Sequence, residues 1–331
     1  MNKRIKFIVQ SFIMLLISTN CVEHKISISV NPNGSYVYTH HVEGDKKDIT
    51  DYDYSLPISN YWEIENNFLD LTDSYYYSIN KSFDKNELFP SSFYEYDSLK
   101  KEILLKHNLN VEYSNRIIYE YYNFEMIYEG RQANKKYPIL SSFIKDQENA
   151  SPGWVHDGLS YIFKKSLLES DFGFNLNNII SNSIEDWLSS VKSTYDDNFL
   201  QKNFENIKQE GIGIVESFLI DDSIDEFISL VNKYEKEARI TVDLIDDIFE
   251  FFVVLPGILV ETNADSILND TLLWRFSGVK FADNDFKLIA KSTIYHKSRY
   301  HWTMIIVMLI ITFTTIYWIS SKVPDPMKMS K

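Results

Sequence analysis

Histidine is the residue type in this chain best suited to chemistry near neutral pH, and there are seven: His24, His40, His41, His107, His156, His296 and His301. An imidazole can act as general base, general acid or metal ligand. A helical metalloprotease site, however, needs two histidines one turn apart with a glutamate between them, and no pair here has that spacing. His40 and His41 are neighbours, so on a strand they point to opposite faces. Trp154, His156 and Asp157 set an imidazole beside a carboxylate, which serves nucleophilic catalysis only when a nucleophile is at hand. No GxSxG, HExxH, phosphate-loop or dinucleotide glycine pattern occurs. Asp45, Asp48, Asp51 and Asp53, in the stretch GDKKDITDYD, offer carboxylates to a cation. The spacing departs from a calcium loop, which needs its central glycine and distal glutamate, so a solvated turn is expected. The reading is a chain with no catalytic residue, no metal site and no cofactor.

The single cysteine, Cys21, leaves no intrachain disulfide, no Cys-based zinc site and no CxxC redox pair. Its setting suggests a different chemistry. Lys3, Arg4 and Lys6 make a basic start, Phe7 to Ile17 an apolar run interrupted by Gln10 and Ser11, and Ser18-Thr19-Asn20-Cys21 follows. Residues 1–20 read as a secretion signal. The Ser-Thr-Asn-Cys end resembles a bacterial lipobox, in which cleavage falls just before a cysteine that receives lipid, although Asn20 stands where such motifs carry a small residue. Cys21 is thereby the candidate lipidation site.

A second membrane signal lies near the other end. Trp302 to Ile319 (WTMIIVMLIITFTTIYWI) has no charge, no Gly and no Pro, and about 18 such residues are just enough to cross a bilayer as a helix. Tyr300 and Trp302 precede or open the run, and Tyr317 and Trp318 stand near its close, where amphipathic rings settle at a membrane interface. Trp302, Tyr317 and Trp318 are therefore expected as anchor residues of a transmembrane helix over 300–320, with residues 321–331 as a short cytoplasmic tail. Lys322, Lys328 and Lys331 follow the span while Lys297 and Arg299 precede it, so export from the N-terminus, more than charge, sets the orientation.

These chemical candidates must be positioned by what lies between. Net charge is −14 with a pI near 5.0, which disfavours nucleic acid as a partner. A hydrophobic fraction of 44% with 15% aromatics supports a packed core. Four glycosylation sequons, at Asn33, Asn80, Asn149 and Asn269, match what chance supplies in an Asn- and Ser-rich chain of this length.

Three regimes of periodicity follow Cys21. In 21–137 the period is two: Ile26, Ile28 and Val30 alternate with polar residues, Asn33-Gly34 marks a hairpin turn, and Tyr36 to Val42 runs back. Further strands are predicted over Leu69–Phe83, Asn108–Tyr113 and Ile117–Glu129, with a short amphipathic helix or turn over Leu99–His107. In 138–247 the period is helical, with helices predicted over Trp154–Leu168 (entered through Ser151-Pro152 as cap and first-turn proline), Ile179–Val191, Phe199–Ile207, Ile214–Leu219 and Ile224–Ala238. In 248–298 strands return at Phe249–Leu255, Ile258–Glu261, Thr271–Phe276 and Phe286–Ile294. The order strand, helix, strand predicts an α+β fold. Its antiparallel sheet would be formed by N-terminal and C-terminal strands, with a large central helical insertion and one C-terminal transmembrane helix after it.

The stretch LPGILVETNADSILNDTLLWRFSG, followed by a strand ending in Ala290-Lys291-Ser292 and then an apolar span, resembles the end of LppM-like envelope proteins of bacteria. Pro256, Gly257, Asn263, Trp274 and Ser292 carry that resemblance, over about 50 residues of the chain. It implies residence in the bacterial envelope and a β-rich fold, and no reaction. With the signal and the span, the expectation is a membrane-anchored extracytoplasmic protein whose partners are the lipid bilayer and an envelope protein. Its role would be that of a non-catalytic scaffold or partner-binding module. The alternatives are a carrier of lipid or another hydrophobic ligand, with the aromatic strands and Phe249–Leu255 lining its cavity, and an unrecognised envelope hydrolase.

Overall fold

Alternation of Ile26, Ile28 and Val30 with serines makes Glu23–Val30 a strand with one buried face (β1), and Tyr36–Gly44 returns beside it as β2. The turn between them closes through Asn31 N–H donating to the Ser35 carbonyl at 2.8 Å and Gly34 N–H to the Asn31 carbonyl at 2.9 Å. Gly34 sits at φ +88°, and a Cβ there would also strike the Tyr113 ring; glycine meets both demands.

The structure, a computed structural model, describes residues 22–45, 49, 62–69, 74–90, 105–147, 149–219, 223–244 and 247–322. Cys21 and all of GDKKDITDYD except Gly44, Asp45 and Ile49 lie outside the described residues. Strands β3 (Glu63–Leu69), β4 (Ser74–Phe83), β5 (His107–Asn115) and β6 (Tyr119–Tyr128) follow the hairpin. Next come helices α1 (Ala133–Lys136), α2 (Pro138–Lys145), α3 (Trp154–Glu169), α4 (Phe174–Thr194), α5 (Asp197–Lys202), α6 (Phe204–Glu216) and α7 (Ser223–Asp243). Strands β7 (Ile248–Val254), β8 (Ile258–Thr262), β9 (Ser266–Leu268), β10 (Thr271–Ser277) and β11 (Phe286–Tyr295) lead to the last helix, α8 (Lys297–Lys322).

The chain is α+β, with early and late strands paired in common sheets and the helices inserted between them. Two particulars differ from the single antiparallel sheet predicted. The strands divide into a seven-stranded sheet, β3-β4-β2-β1-β7-β10-β9, and a four-stranded sheet, β5-β6-β11-β8. Within the first, β1 and β7 run parallel, from Glu23 beside Ile248 to Ser29 beside Val254. A parallel pair needs a long crossover, and everything from β2 to α7 supplies it.

The two sheets pack face to face, because each has one apolar face to bury. Ile26, Tyr38, Phe251 and Trp274 from the first sheet and Val111, Phe124, Met126 and Leu288 from the second form one core. Ring contacts cross it: Phe124 to Trp274 at 5.8 Å, and Tyr128 to Phe249 at 5.7 Å. Phe249, Phe251 and Val253, predicted as lining for a ligand cavity in the carrier reading, are instead fully buried members of this core. Each such side chain contributes about 1.5–3 kcal/mol.

The insertion has its own core, with Phe163, Ile180, Ile184, Val215, Phe227 and Val231 at its centre. It is joined to the sandwich by more than the chain. Arg131, buried just after β6, donates from Nε to Thr241 Oγ1 (3.0 Å) and from Nη2 to the Glu237 carbonyl (2.9 Å) on α7. Burial lowers the Arg131 pKa from its usual value, while the nearby Tyr137 and Glu237 act against that shift. Backbone bonds from Arg131 to Phe281 and from Ala133 to Ala282 tie the same linker to the turn that follows β10.

One helix cap and two helix boundaries differ from those predicted. Helix α3 starts at Trp154, with Gly153 (φ 95°) rather than Ser151 as its cap. The Asp197 carboxylate accepts from Gly153 N–H (2.6 Å) and Val155 N–H (3.0 Å), so a distant residue satisfies the first-turn donors. The helix predicted over Phe199–Ile207 breaks at Asn203 into α5 and α6. Ile214 continues α6, so no separate helix begins there.

Candidate functional site at the junction of sheet and anchor

Among the described residues one helix is long and apolar enough to cross a membrane: Lys297–Ile319, with mean hydropathy 2.0 and none of its apolar window buried against the rest of the chain. Its polar side chains are spent internally. The hydroxyls of Thr303, Thr312, Thr314 and Thr315 donate to carbonyls one turn back at 2.7–2.9 Å, which removes the cost of an unmet donor in hydrocarbon. Trp302, Tyr317 and Trp318, the predicted anchor residues, are exposed on this helix. Residues 302 and 318 stand about 24 Å apart along it.

Helix α8 grows directly out of β11, with His296 alone between them. The join is stiffened by Glu120 of β6, whose side chain is buried where the sandwich ends. His296 Nε2 lies 2.9 Å and Arg299 Nη2 3.4 Å from Glu120 Oε1. The Tyr122 hydroxyl lies 3.2 Å from Glu120 Oε2 and 2.6 Å from the Pro32 carbonyl, with one proton to offer. Arg299 Nη1 donates to Asn115 Oδ1 at 3.1 Å, and the His296 N–H donates to the Ile118 carbonyl at 2.9 Å. Burial alone would push the Glu120 carboxyl up. The hydrogen bonds from His296 and Tyr122, with the charges of His296 and Arg299, prevail and hold it below the usual carboxylate range. Glu120 is thus an ionised post to which the first turn of α8 is fastened.

The residues that carry the C-terminal sequence motif form a second knot, on the other side of β11. Asn263 Oδ1 accepts from the Trp274 indole N–H (3.0 Å) and from Ile289 N–H (2.8 Å), and Asn263 Nδ2 donates to the Lys287 carbonyl (2.7 Å). Ser292 Oγ donates to the Pro256 carbonyl at 2.7 Å. Gly257, at φ +87°, lies so close to Thr293 that a Cβ would collide with its carbonyl. The motif therefore links β8 and β11 to the Trp274 ring of the opposite sheet, and its work is structural.

Sequence reasoning missed one grouping of chemistry-bearing residues. His24 (β1), His40 (β2), His107 (β5) and Asp247 are all buried. His24 Nδ1 lies 3.1 Å from His40 Nε2, and His24 Nε2 lies 3.5 Å from Asp247 Oδ2. Burial holds His40 well below its ordinary pKa, with the nearby His24, His107 and His41 adding to the effect, and burial drives His107 down to about 4. The hairpin register, which sets Ile26 against His40, was the available signal for the first pair; nothing local announces His107 or Asp247. Among the described residues no group of His, Cys, Asp or Glu is arranged to hold a metal ion.

His156 and Asp157 are brought to separate duties. His156 Nε2 lies 2.9 Å from the Leu188 carbonyl, and the Asp157 carboxylate accepts from the N–H groups of Ile139 and Leu140. Trp154 stacks on Phe143 at 4.1 Å. Trp154 also lines, with Leu159, Ile162, Phe204 and Val242, an open apolar cleft of about 210 Å3 between α3, α6 and α7.

No family model matches the chain, and no curated protein matches it. Among solved structures it is similar to the folded domain of LppM from Mycobacterium tuberculosis, at 9% sequence identity. That comparison covers 85% of this chain and 94% of that chain, with a TM-score of 0.30. This is a weak structural resemblance.

Proposed function

We propose that this chain is a membrane-anchored protein of the bacterial envelope that works as a non-catalytic scaffold or partner-binding module. In this reading residues 1–20 direct export, Cys21 takes lipid, α8 crosses the bilayer, and the sandwich with its insertion stands outside the cytoplasm. The observation that carries it is the junction. An apolar helix unburied by its own chain is fastened by the Glu120 cluster to a rigid sandwich, so the domain is held in a set orientation at the surface. The non-catalytic part rests on the placement of the titratable groups: the His24, His40 and Asp247 cluster is sealed from substrate. Partner binding is supported by Leu168, Phe174 and Ile179, large apolar side chains each exposed near where α3 passes to α4.

A carrier function has one observation in its favour, the cleft beside Trp154, but about 210 Å3 is small against the several hundred Å3 of ordinary ligand sites. Native mass spectrometry of the protein gently extracted from its own membranes tests the choice. A co-purifying protein lost on Leu168→Asp together with Phe174→Asp supports the scaffold, whereas a stoichiometric lipid without any protein supports the carrier.

A further inference from the structure

We infer that the outer face of the four-stranded sheet, at the end where it gives rise to α8, rests in the lipid headgroup layer and fixes how the whole domain sits on the bilayer. The inference depends on α8 spanning that bilayer, and adds a second, peripheral contact to it.

Strand registers bring the relevant residues together. Tyr119 pairs with Tyr295, Tyr121 with Thr293, and Thr293 with Ile258, so these side chains share the face turned away from the sandwich core. Their rings form a continuous chain: Tyr121 to Tyr119 at 5.9 Å, Tyr119 to Tyr295 at 5.5 Å, and Tyr295 to Tyr300 on α8 at 6.2 Å. All four tyrosines are exposed, and so are Ile117 (72%), at the β5–β6 turn, and Ile258 (71%), at the start of β8. A ring with an apolar body and a hydroxyl tip suits the membrane interface better than water or hydrocarbon.

Charge selects the same occupant. The three segments that meet at this end, 113–119, 254–260 and 292–302, contain no Asp or Glu in a chain that has 47 of them, and they carry Arg116, Lys297 and Arg299. The carboxylate nearest them, Glu120, is buried and paired with His296 and Arg299, so these segments present basic rather than acidic side chains, as a surface facing anionic headgroups requires.

Distance agrees. From His296 to Trp302, where the uncharged run begins, the helix rises about 9 Å. The headgroup layer is about 5–8 Å deep on each side of the hydrocarbon. The end of β11 is therefore at the outer edge of that layer for an upright helix, and a tilt toward the tyrosine face lowers it inside.

The test uses the full-length chain with Cys21→Ser, so that one introduced cysteine carries an environment-sensitive fluorophore, at Ile117→Cys or at Leu168→Cys on the distant insertion. Each protein is reconstituted into phosphatidylcholine–phosphatidylglycerol vesicles with and without headgroup-nitroxide lipid. Expected is a blue-shifted emission at position 117, quenched several-fold more strongly than at 168. Equal quenching at the two positions, in protein that still floats with the vesicles, overturns the peripheral contact and leaves the anchor standing. Protein that does not float overturns the anchor and this contact together. Emission at 117 that is blue-shifted but unquenched shows another protein copy covering the face, and also overturns the proposal.

Discussion

Truncating Asn263 to alanine should destabilise the sandwich by about 2–4 kcal/mol, although the residue is not part of the apolar core. Its side chain satisfies three groups at once: the Trp274 indole N–H, the Ile289 N–H and the Lys287 carbonyl. Trp274 is only 2% exposed, so losing its acceptor strands a buried donor at about 1–3 kcal/mol, and the two backbone partners add about 0.5 kcal/mol each. For a domain of this size each kcal/mol moves the melting temperature by about 2–4 °C, so a fall of roughly 4–16 °C is expected. Thermal melting of the detergent-solubilised chain, followed by tryptophan fluorescence, reads it. Trp274→Phe, made alone and with Asn263→Ala, completes the cycle: once the indole donor is gone, losing Asn263 should cost at least about 1 kcal/mol less. A melting temperature for Asn263→Ala within 2 °C of the parent, taking ~2 °C as under 1 kcal/mol, would refute the reasoning, as would strict additivity of the two changes.

Three further outcomes follow from the same geometry. The His107 pKa is lowered in the fold to about 4 from 6.5, so the unfolded chain binds the extra proton between those values; stability is full above them and falls as pH drops, by about 2 kcal/mol at pH 5 from this residue alone. His40 acts in the same direction, and the measured slope of melting temperature between pH 7 and 5 should flatten in His107→Gln; an unchanged slope counts against the cluster. Glu120→Gln removes the charge that fastens His296 and Arg299 and should cost about 1–3 kcal/mol, with broader spin-label distance distributions between α8 and the sheet. Glycines divide by surroundings: Gly278→Ala drives a Cβ into the Leu244 carbonyl and should cost about 1–3 kcal/mol, while Gly213→Ala on α6, with open space around it, should gain about 0.4–1 kcal/mol. Paired thermal melts check both signs.

What could be read without coordinates was whatever a few neighbouring residues encode. Asn33-Gly34 between two alternating runs announced the β1–β2 hairpin, and the apolar period placed α4 and α7 within a few residues. The helix α8 was legible because length and the absence of charge suffice. Pairing was not legible, since a strand's pattern says which face is buried and nothing of which neighbour it takes; hence two sheets and a parallel β1–β7 contact in place of one antiparallel sheet. Strand β9, three residues long, has too little pattern to see. The start of α3 at Trp154 was legible, but its capping was not, because the Asp197 carboxylate that takes the N–H groups of Gly153 and Val155 comes from another helix. Glu120 carried no local mark, its importance arising only when β11 delivers His296 and Arg299 to its side. Asn263 was singled out by motif, but its role needed the Trp274 ring from the opposite sheet.

The most direct test of the central claim is alkaline carbonate extraction of membranes holding the chain with Cys21→Ser and with residues 1–20 exchanged for a signal that is cleaved without lipid, so that neither a lipid nor a retained N-terminal apolar run holds the protein and α8 is the anchor under test. The account predicts that the protein stays with the membrane pellet, as an apolar helix spanning the bilayer would. Release into the supernatant would contradict it, and would make Lys297–Ile319 a helix covered by protein rather than by lipid.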